Sequence, residues 1–94
     1  MRRVTVIINP IAGVRPKHVI PGIVREVLPS DVFDVDIRFT EYAGHASEIA
    51  KEAVRNGDDS VVAIGGDGTI NETAKSLIGS STALGIVPMG SGNG

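Results

Sequence analysis

The chain has 94 residues, with nine Lys and Arg against eleven Asp and Glu for a formal charge of −2; that size supports one domain with a modest core. Its basic residues run from Arg2 to Lys75 without a cluster, which excludes the basic stripe of a nucleic-acid binder, and no stretch approaches the roughly 18 apolar residues of a membrane span. The absence of cysteine excludes disulfides and thiolate metal sites and fits a cytoplasmic home, and His18 and His45 are too few and too separated for a zinc site.

Residues 3–9, RVTVIIN, are β-branched and nearly continuously apolar, the pattern of a strand covered on both faces. The basic pair ahead of them resembles the start of a signal peptide, but Asn9 and Pro10 interrupt the apolar run too early. Val19, Ile20, Ile23, Val24, Val27 and Leu28 then mark a helix, with Pro21 tolerated in its first turn and Pro29 closing it. In DVFDVDIRFT, Phe33, Val35, Ile37 and Phe39 alternate with Asp34, Asp36 and Arg38. Strict alternation leaves one face in water and predicts an edge strand.

In GHASEIAKEAVRNG, Ala46, Ile49, Ala50, Ala53 and Val54 share one helical face, opposite Glu48, Lys51, Glu52 and Arg55. Gly57 stands where a C-terminal cap is expected. SVVAIG, at 60–65, reads as a second strand covered on both faces. A helix carrying Ile70, Ala74, Leu77 and Ile78 follows and stops near Gly79, and ALGIVP, at 83–88, reads as a third covered strand. Strands alternating with helices predict a parallel sheet with right-handed crossovers. The expected fold is therefore α/β, a three-layer doubly wound parallel sheet in the order 2-1-3-4, without repeats or linkers.

Ligands of such sheets bind beyond the carboxyl ends of the strands. Those ends are expected at Asn9, Thr40, Gly65 and Pro88, and each opens an unusual loop: NPIAG, TEYAGHA, GGDGTINE and PMGSGNG. At GGDGTINE, backbone N–H groups point outward at a helix N-terminus, and missing Cβ atoms let a ligand approach the main chain, which is phosphate-cradling geometry. Each hydrogen bond to a charged oxygen contributes about 1.5–3 kcal/mol. Several together reach the roughly 8 kcal/mol of micromolar affinity. The stretch is not a P-loop, lacking G-x-x-x-x-G-K-[ST], and it departs from G-x-G-x-x-G at Asn71.

Asp67 reads either as a helix N-cap or as an organiser of phosphates through magnesium or water, since a bare carboxylate would repel them. A helix N-terminus stabilises its charge and weakens it as a general base. Thr69 and Glu72 have capping-box spacing, although the Thr69 hydroxyl is also suited to phosphate; Asn71 fits ligand contact or plain solvation. Asn9 and Gly13 are turn formers whose place on the rim favours a ligand role. Thr40 also reads as a strand end, and His45 as a helix-start residue.

GGDGTINE together with NPIAG, Thr40 with GHA shortly after it, and PMGSGN, in this order and spacing, resemble the nucleotide-binding half of the diacylglycerol kinase and sphingosine kinase family. The resemblance spans essentially the whole chain. GGDGT alone is shared with NAD kinases and, more distantly, phosphofructokinases, so the implied fold is a phosphofructokinase-like N-terminal domain. The implied activity is transfer of the γ-phosphate of ATP to a lipid hydroxyl of the diacylglycerol or sphingosine type, with ATP and Mg2+ as cofactors. Residues 1–94 are then the ATP-binding domain of a longer two-domain kinase. ATP is expected at Asn9, Pro10, Gly13 and Thr40, at Gly65, Gly66, Asp67, Gly68, Thr69, Ile70, Asn71 and Glu72, and at Gly90, Ser91, Gly92 and Asn93.

The resemblance further implies that the lipid site, the magnesium-organising acids and the catalytic base lie in a β-rich second domain beyond Gly94. No residue here is then assigned as catalytic or as a metal ligand, and the chain alone is expected to be inactive. Its implied partners are ATP and, through that second domain, a lipid alcohol, in the cytoplasm with at most peripheral membrane contact. The apolar sheet edge would face either the second domain or another copy in a homo-oligomer. Two other readings stay open: an NAD kinase-like enzyme and a non-catalytic nucleotide-binding module.

Overall fold

The computed structural model describes residues 1–10 and 19–88. The elements alternate as β1 (Arg2–Ile8), α1 (Val19–Val27), β2 (Phe33–Phe39), α2 (His45–Arg55), β3 (Ser60–Gly65), α3 (Asp67–Leu77) and β4 (Ala83–Pro88). All strand pairs are parallel, and the sheet runs β2-β1-β3-β4, the order expected from the alternation.

Successive side chains of β1 point to opposite faces. Val4, Val6 and Ile8 meet Val24 of α1 and Ile64 of β3, with the alternating Phe33, Val35, Ile37 and Phe39 of β2 packed against them. On the other face Ile7 and Val61 meet Ala46, Ile49, Ala50 and Ala53 of α2 and Leu77 of α3. One helix thus covers one face and two cover the other, giving three layers. Ile7 and Ile49 are fully buried, each contributing about 1.5–3 kcal/mol by leaving water. The alanines of α2 allow close approach to its neighbours, and Ser47 and Ser76 join α2 to α3 by a 2.8 Å hydrogen bond between hydroxyls.

β2 is an edge, as its alternation predicts: Asp34 and Asp36 are exposed, and Arg38 reaches Glu52 of α2 at 3.2 Å. β4 differs from its sequence pattern. Its apolar run predicts cover on both faces, yet Leu84, Ile86 and Val87 are 37%, 49% and 43% exposed, because it forms the second edge of the sheet and its contact with α3 covers it only in part. α1 likewise buries only part of its apolar face. Val24 is buried and Leu28 half-buried, whereas Ile23 and Val27 are exposed, because the helix meets the sheet along one narrow stripe.

The amino-terminal edge of the sheet is tied by polar groups. Asp58, 6% exposed, accepts a 2.5 Å hydrogen bond from the Thr5 hydroxyl at Oδ2, while its Oδ1 faces Arg3 Nε at 3.6 Å, an ion pair too long for a hydrogen bond. Its carbonyl accepts from the Thr82 hydroxyl at 3.0 Å. These contacts hold β1, β3 and the start of β4 in register.

The crossover from β1 leads outward to β2, and that from β3 leads the opposite way to β4. The chain therefore reverses between β1 and β3. At such a switch point an open parallel sheet leaves a crevice at its carboxyl end. No described helix is long and apolar enough to cross a membrane.

Candidate functional site

The crevice is built where β1 ends and β3 hands over to α3. Gly65, the last residue of β3, is buried, and a Cβ there would lie 3.0 Å from Thr69 Cβ and 3.2 Å from Asn9 Cβ. A glycine is needed at this position so that the two strand ends and the helix can close on one another. Asn9 Nδ2 donates to Thr69 Oγ1 at 3.1 Å, and the Asn9 N–H donates to the Ile64 carbonyl at 3.0 Å.

The cap expectations need correction. The N-cap of α3 is Gly66, in extended backbone (φ −84, ψ −172) and without a side-chain cap hydrogen bond. Asp67 is the first helical residue and exposed, so it does not cap. Thr69 and Glu72 form no capping box, because the helix starts before Thr69, whose side chain is 6% exposed and bonded to Asn9. The first backbone bond of α3 runs from the Ile70 N–H to the Gly66 carbonyl at 3.1 Å. The N–H groups of Asp67, Gly68 and Thr69 consequently precede the helical ladder.

Among the described residues, positive φ is confined to Gly44, Gly57 and Gly79. Gly65 and Gly68 therefore serve space rather than backbone conformation. Gly65 makes room for protein atoms, whereas no atom of the described residues lies within 4 Å of a Cβ built on Gly68, which is exposed.

The loop after β2 supplies the facing wall. The Thr40 N–H donates to the Ile8 carbonyl at 2.8 Å, and Gly44, at φ 90, makes the left-handed turn that starts α2. His45 holds this loop: its Nδ1 accepts from the Glu41 N–H at 2.9 Å, and its ring stacks on Tyr42 with centroids 4.3 Å apart and planes 13° apart. The Tyr42 hydroxyl donates to Glu48 Oε1 at 2.7 Å. That bond, with the nearby carboxylates, raises the Tyr42 pKa above its ordinary 10.0.

Together these parts enclose a cleft of about 290 Å³. Of the residues singled out from the sequence, Asn9, Thr40, Gly68, Thr69 and Glu72 line it. Gly65, Gly66, Asp67, Ile70 and Asn71 belong to the same junction without lining the cleft, and half-buried Pro10 follows Asn9. Gly13, Gly90, Ser91, Gly92 and Asn93 lie outside the described residues. The sequence reading placed the loop TEYAGHA on the rim but did not single out Glu41, Tyr42, Ala43 or Gly44 as site residues, and these line the cleft together with Ala46. The available signal was the chain's one tyrosine standing in a rim loop. A second hollow, of about 350 Å³, opens between Arg25 and Leu28 on one side and Phe33 and Val35 on the other, and it gathers none of the rim residues.

The family model for the diacylglycerol kinase catalytic domain matches residues 3–94. Over 69 residues the chain is 42% identical to a "Probable lipid kinase YegS-like" protein of Klebsiella pneumoniae (strain 342), covering 71% of this chain and 23% of that protein. Over 97 aligned residues it is 34% identical to a "Diacylglycerol kinase" of Bacillus subtilis (strain 168), covering 99% of this chain and 31% of the relative. The chain thus spans less than a third of the length of these curated relatives. Among solved structures, a diacylglycerol kinase from Bacillus anthracis str. Sterne superposes with a TM-score of 0.78 at 27% identity, covering 95% of this chain and 33% of the other.

Proposed function

The chain belongs to the diacylglycerol kinase catalytic domain family, and from that membership we propose that it is the ATP-binding part of a lipid kinase that transfers the γ-phosphate of ATP to a lipid hydroxyl. The observation that carries this reading is the meeting of Asn9, Thr40 and the first turn of α3 around one cleft, at the switch point of a doubly wound sheet. Phosphate oxygens accept from the N–H groups of Asp67, Gly68 and Thr69, and the open Gly68 lets them reach the backbone. Asn9 and Thr40 line the nucleotide.

The residues present fit a magnesium ion shared with the phosphates. Among the described residues no group of three or more His, Asp or Glu forms a closed metal site, but magnesium needs only one or two carboxylates besides phosphate oxygens and water. Asp67, exposed at the start of α3 beside the cleft, and Glu72, which lines it, are carboxylates suited to hold the ion together with the phosphates. The ion, when bound, neutralises charge on the phosphoryl group being transferred. Asp67 organises the phosphates rather than serving as the base toward the acceptor. The acceptor site and the base belong to further sequence of a longer, two-domain protein, a reading supported by the greater length of the relatives.

The test is incubation of the full-length protein with labelled ATP, magnesium and a panel of lipid alcohols alongside NAD. Labelled phospholipid is the expected product. Label on the dinucleotide alone, or on no acceptor, overturns the reading.

A further inference from the structure

Tyr42 is half exposed in a cleft whose other aromatic and acidic neighbours hold it still. Its ring lies 4.3 Å from that of His45 and nearly parallel to it, and its hydroxyl is tethered to Glu48 at 2.7 Å. His45 is in turn fixed by the Glu41 N–H. A tyrosine with 54% of its surface in water and its orientation set from two sides is a flat π surface with little ordering left to lose on binding.

The two sides of the cleft also differ in what they offer. Tyr42 presents its ring on one, with Glu41 and Glu48 close to it, whereas the α3 side, which also carries Glu72, holds backbone N–H groups left outside the helical ladder and an open Gly68. Phosphates find their hydrogen-bond donors on the α3 side. An acyl chain gains nothing from the carboxylates. A heteroaromatic base, neutral and flat, suits the tyrosine end.

We propose that Tyr42 is the platform on which the nucleotide's base stacks, fixing the direction in which the nucleotide lies in the cleft, with phosphates toward α3. This rests on the nucleotide reading above and adds a positioning residue to it. The site then distinguishes a nucleoside triphosphate from a bare polyphosphate by the face of one aromatic ring.

The test measures binding of ATP and of inorganic tripolyphosphate, each with magnesium, to the wild-type protein and to Tyr42→Ala, Tyr42→Leu and Tyr42→Phe. Base–aromatic stacking predicts that Tyr42→Ala and Tyr42→Leu weaken ATP binding by roughly 5- to 150-fold while tripolyphosphate affinity holds and Tyr42→Phe stays near wild type. Should Tyr42→Ala lose its cooperative melt, Tyr42→Leu carries the comparison. Equal loss for both ligands, no loss for either, or a Tyr42→Phe variant as weak as Tyr42→Ala overturns the stacking role and leaves the nucleotide reading standing. A wild-type protein that binds tripolyphosphate as well as ATP overturns the base contact alone. One that binds neither overturns both readings.

Discussion

Asn9 and Thr69, 60 positions apart in the chain, are joined by a 3.1 Å hydrogen bond from the Asn9 amide to the Thr69 hydroxyl. The bond ties the end of β1 to the first turn of α3, so the two walls of the crevice move as one. In a double-mutant cycle with Asn9→Ala and Thr69→Val, chemical unfolding should give a coupling energy of about 0.5–1.5 kcal/mol. Strictly additive effects would show that the bond does not join the walls.

Gly65 and Gly68 should respond oppositely to the same substitution. Gly65→Ala places a methyl 3.0 Å from Thr69 Cβ and 3.2 Å from Asn9 Cβ, a crowding expected to cost about 1–3 kcal/mol. Gly68→Ala meets nothing within 4 Å and gains helix propensity, so its stability should hold or rise by about 0.5–1 kcal/mol. Its affinity for magnesium-ATP should nonetheless fall, because the methyl occupies the approach to the backbone. Thermal melts and nucleotide titration of the two variants separate the effects.

Removing the Asp67 carboxylate should weaken magnesium-ATP binding without unfolding the chain. The side chain is exposed and makes no cap hydrogen bond, so Asp67→Asn has little structure to disturb. Titrations at several magnesium concentrations should show the loss growing with magnesium. Unchanged affinity at every concentration would remove Asp67 from the site.

Asp58 offers the opposite pattern. It lies just before β3, at the amino-terminal edge of the sheet, and satisfies the buried Thr5 hydroxyl. Asp58→Ala strands that hydroxyl, at a cost of about 1–3 kcal/mol, while the half-exposed Arg3 returns to water. Denaturant unfolding should record the loss, and magnesium-ATP affinity should be unchanged because the cleft is at the far end of the strands.

Tyr42 can be titrated alone by ultraviolet absorbance, since the chain has one tyrosine and no tryptophan. Its midpoint should lie above 10.0, chiefly because its hydroxyl donates to Glu48, and Glu48→Gln should bring it down. Folding raises this pKa, so the contribution of the neutral phenol to stability is fully present below pH 10 and is lost as the pH climbs through the raised value. A Glu48→Gln variant with an unmoved midpoint would show that the hydrogen bond is not the cause.

Much of the frame was legible because periodicity reports burial directly. The alternation of Phe33, Val35, Ile37 and Phe39 with charged residues marks β2 as an edge, and Gly57 and Gly79, both at positive φ, end their helices where the sequence places them. The same logic misreads β4, whose apolar run signals cover on both faces that its described neighbours provide only in part. Of the alternatives it left open for Asp67 and for the Thr69–Glu72 pair, the capping roles fail, because spacing alone does not say at which residue a helix begins.

The sequence by itself determined the alternation of strands and helices and the parallel sheet, since local propensity and a period of two or 3.6 residues decide these. Only the tertiary structure decided why Gly65 is a glycine and that Tyr42 shares a cleft with Thr69. Both depend on distances between segments remote in the chain. A missing Cβ looks the same in sequence whether it makes room for Thr69 and Asn9 or leaves the helix start open at Gly68, and only the packing of β1, β3 and α3 tells the two apart.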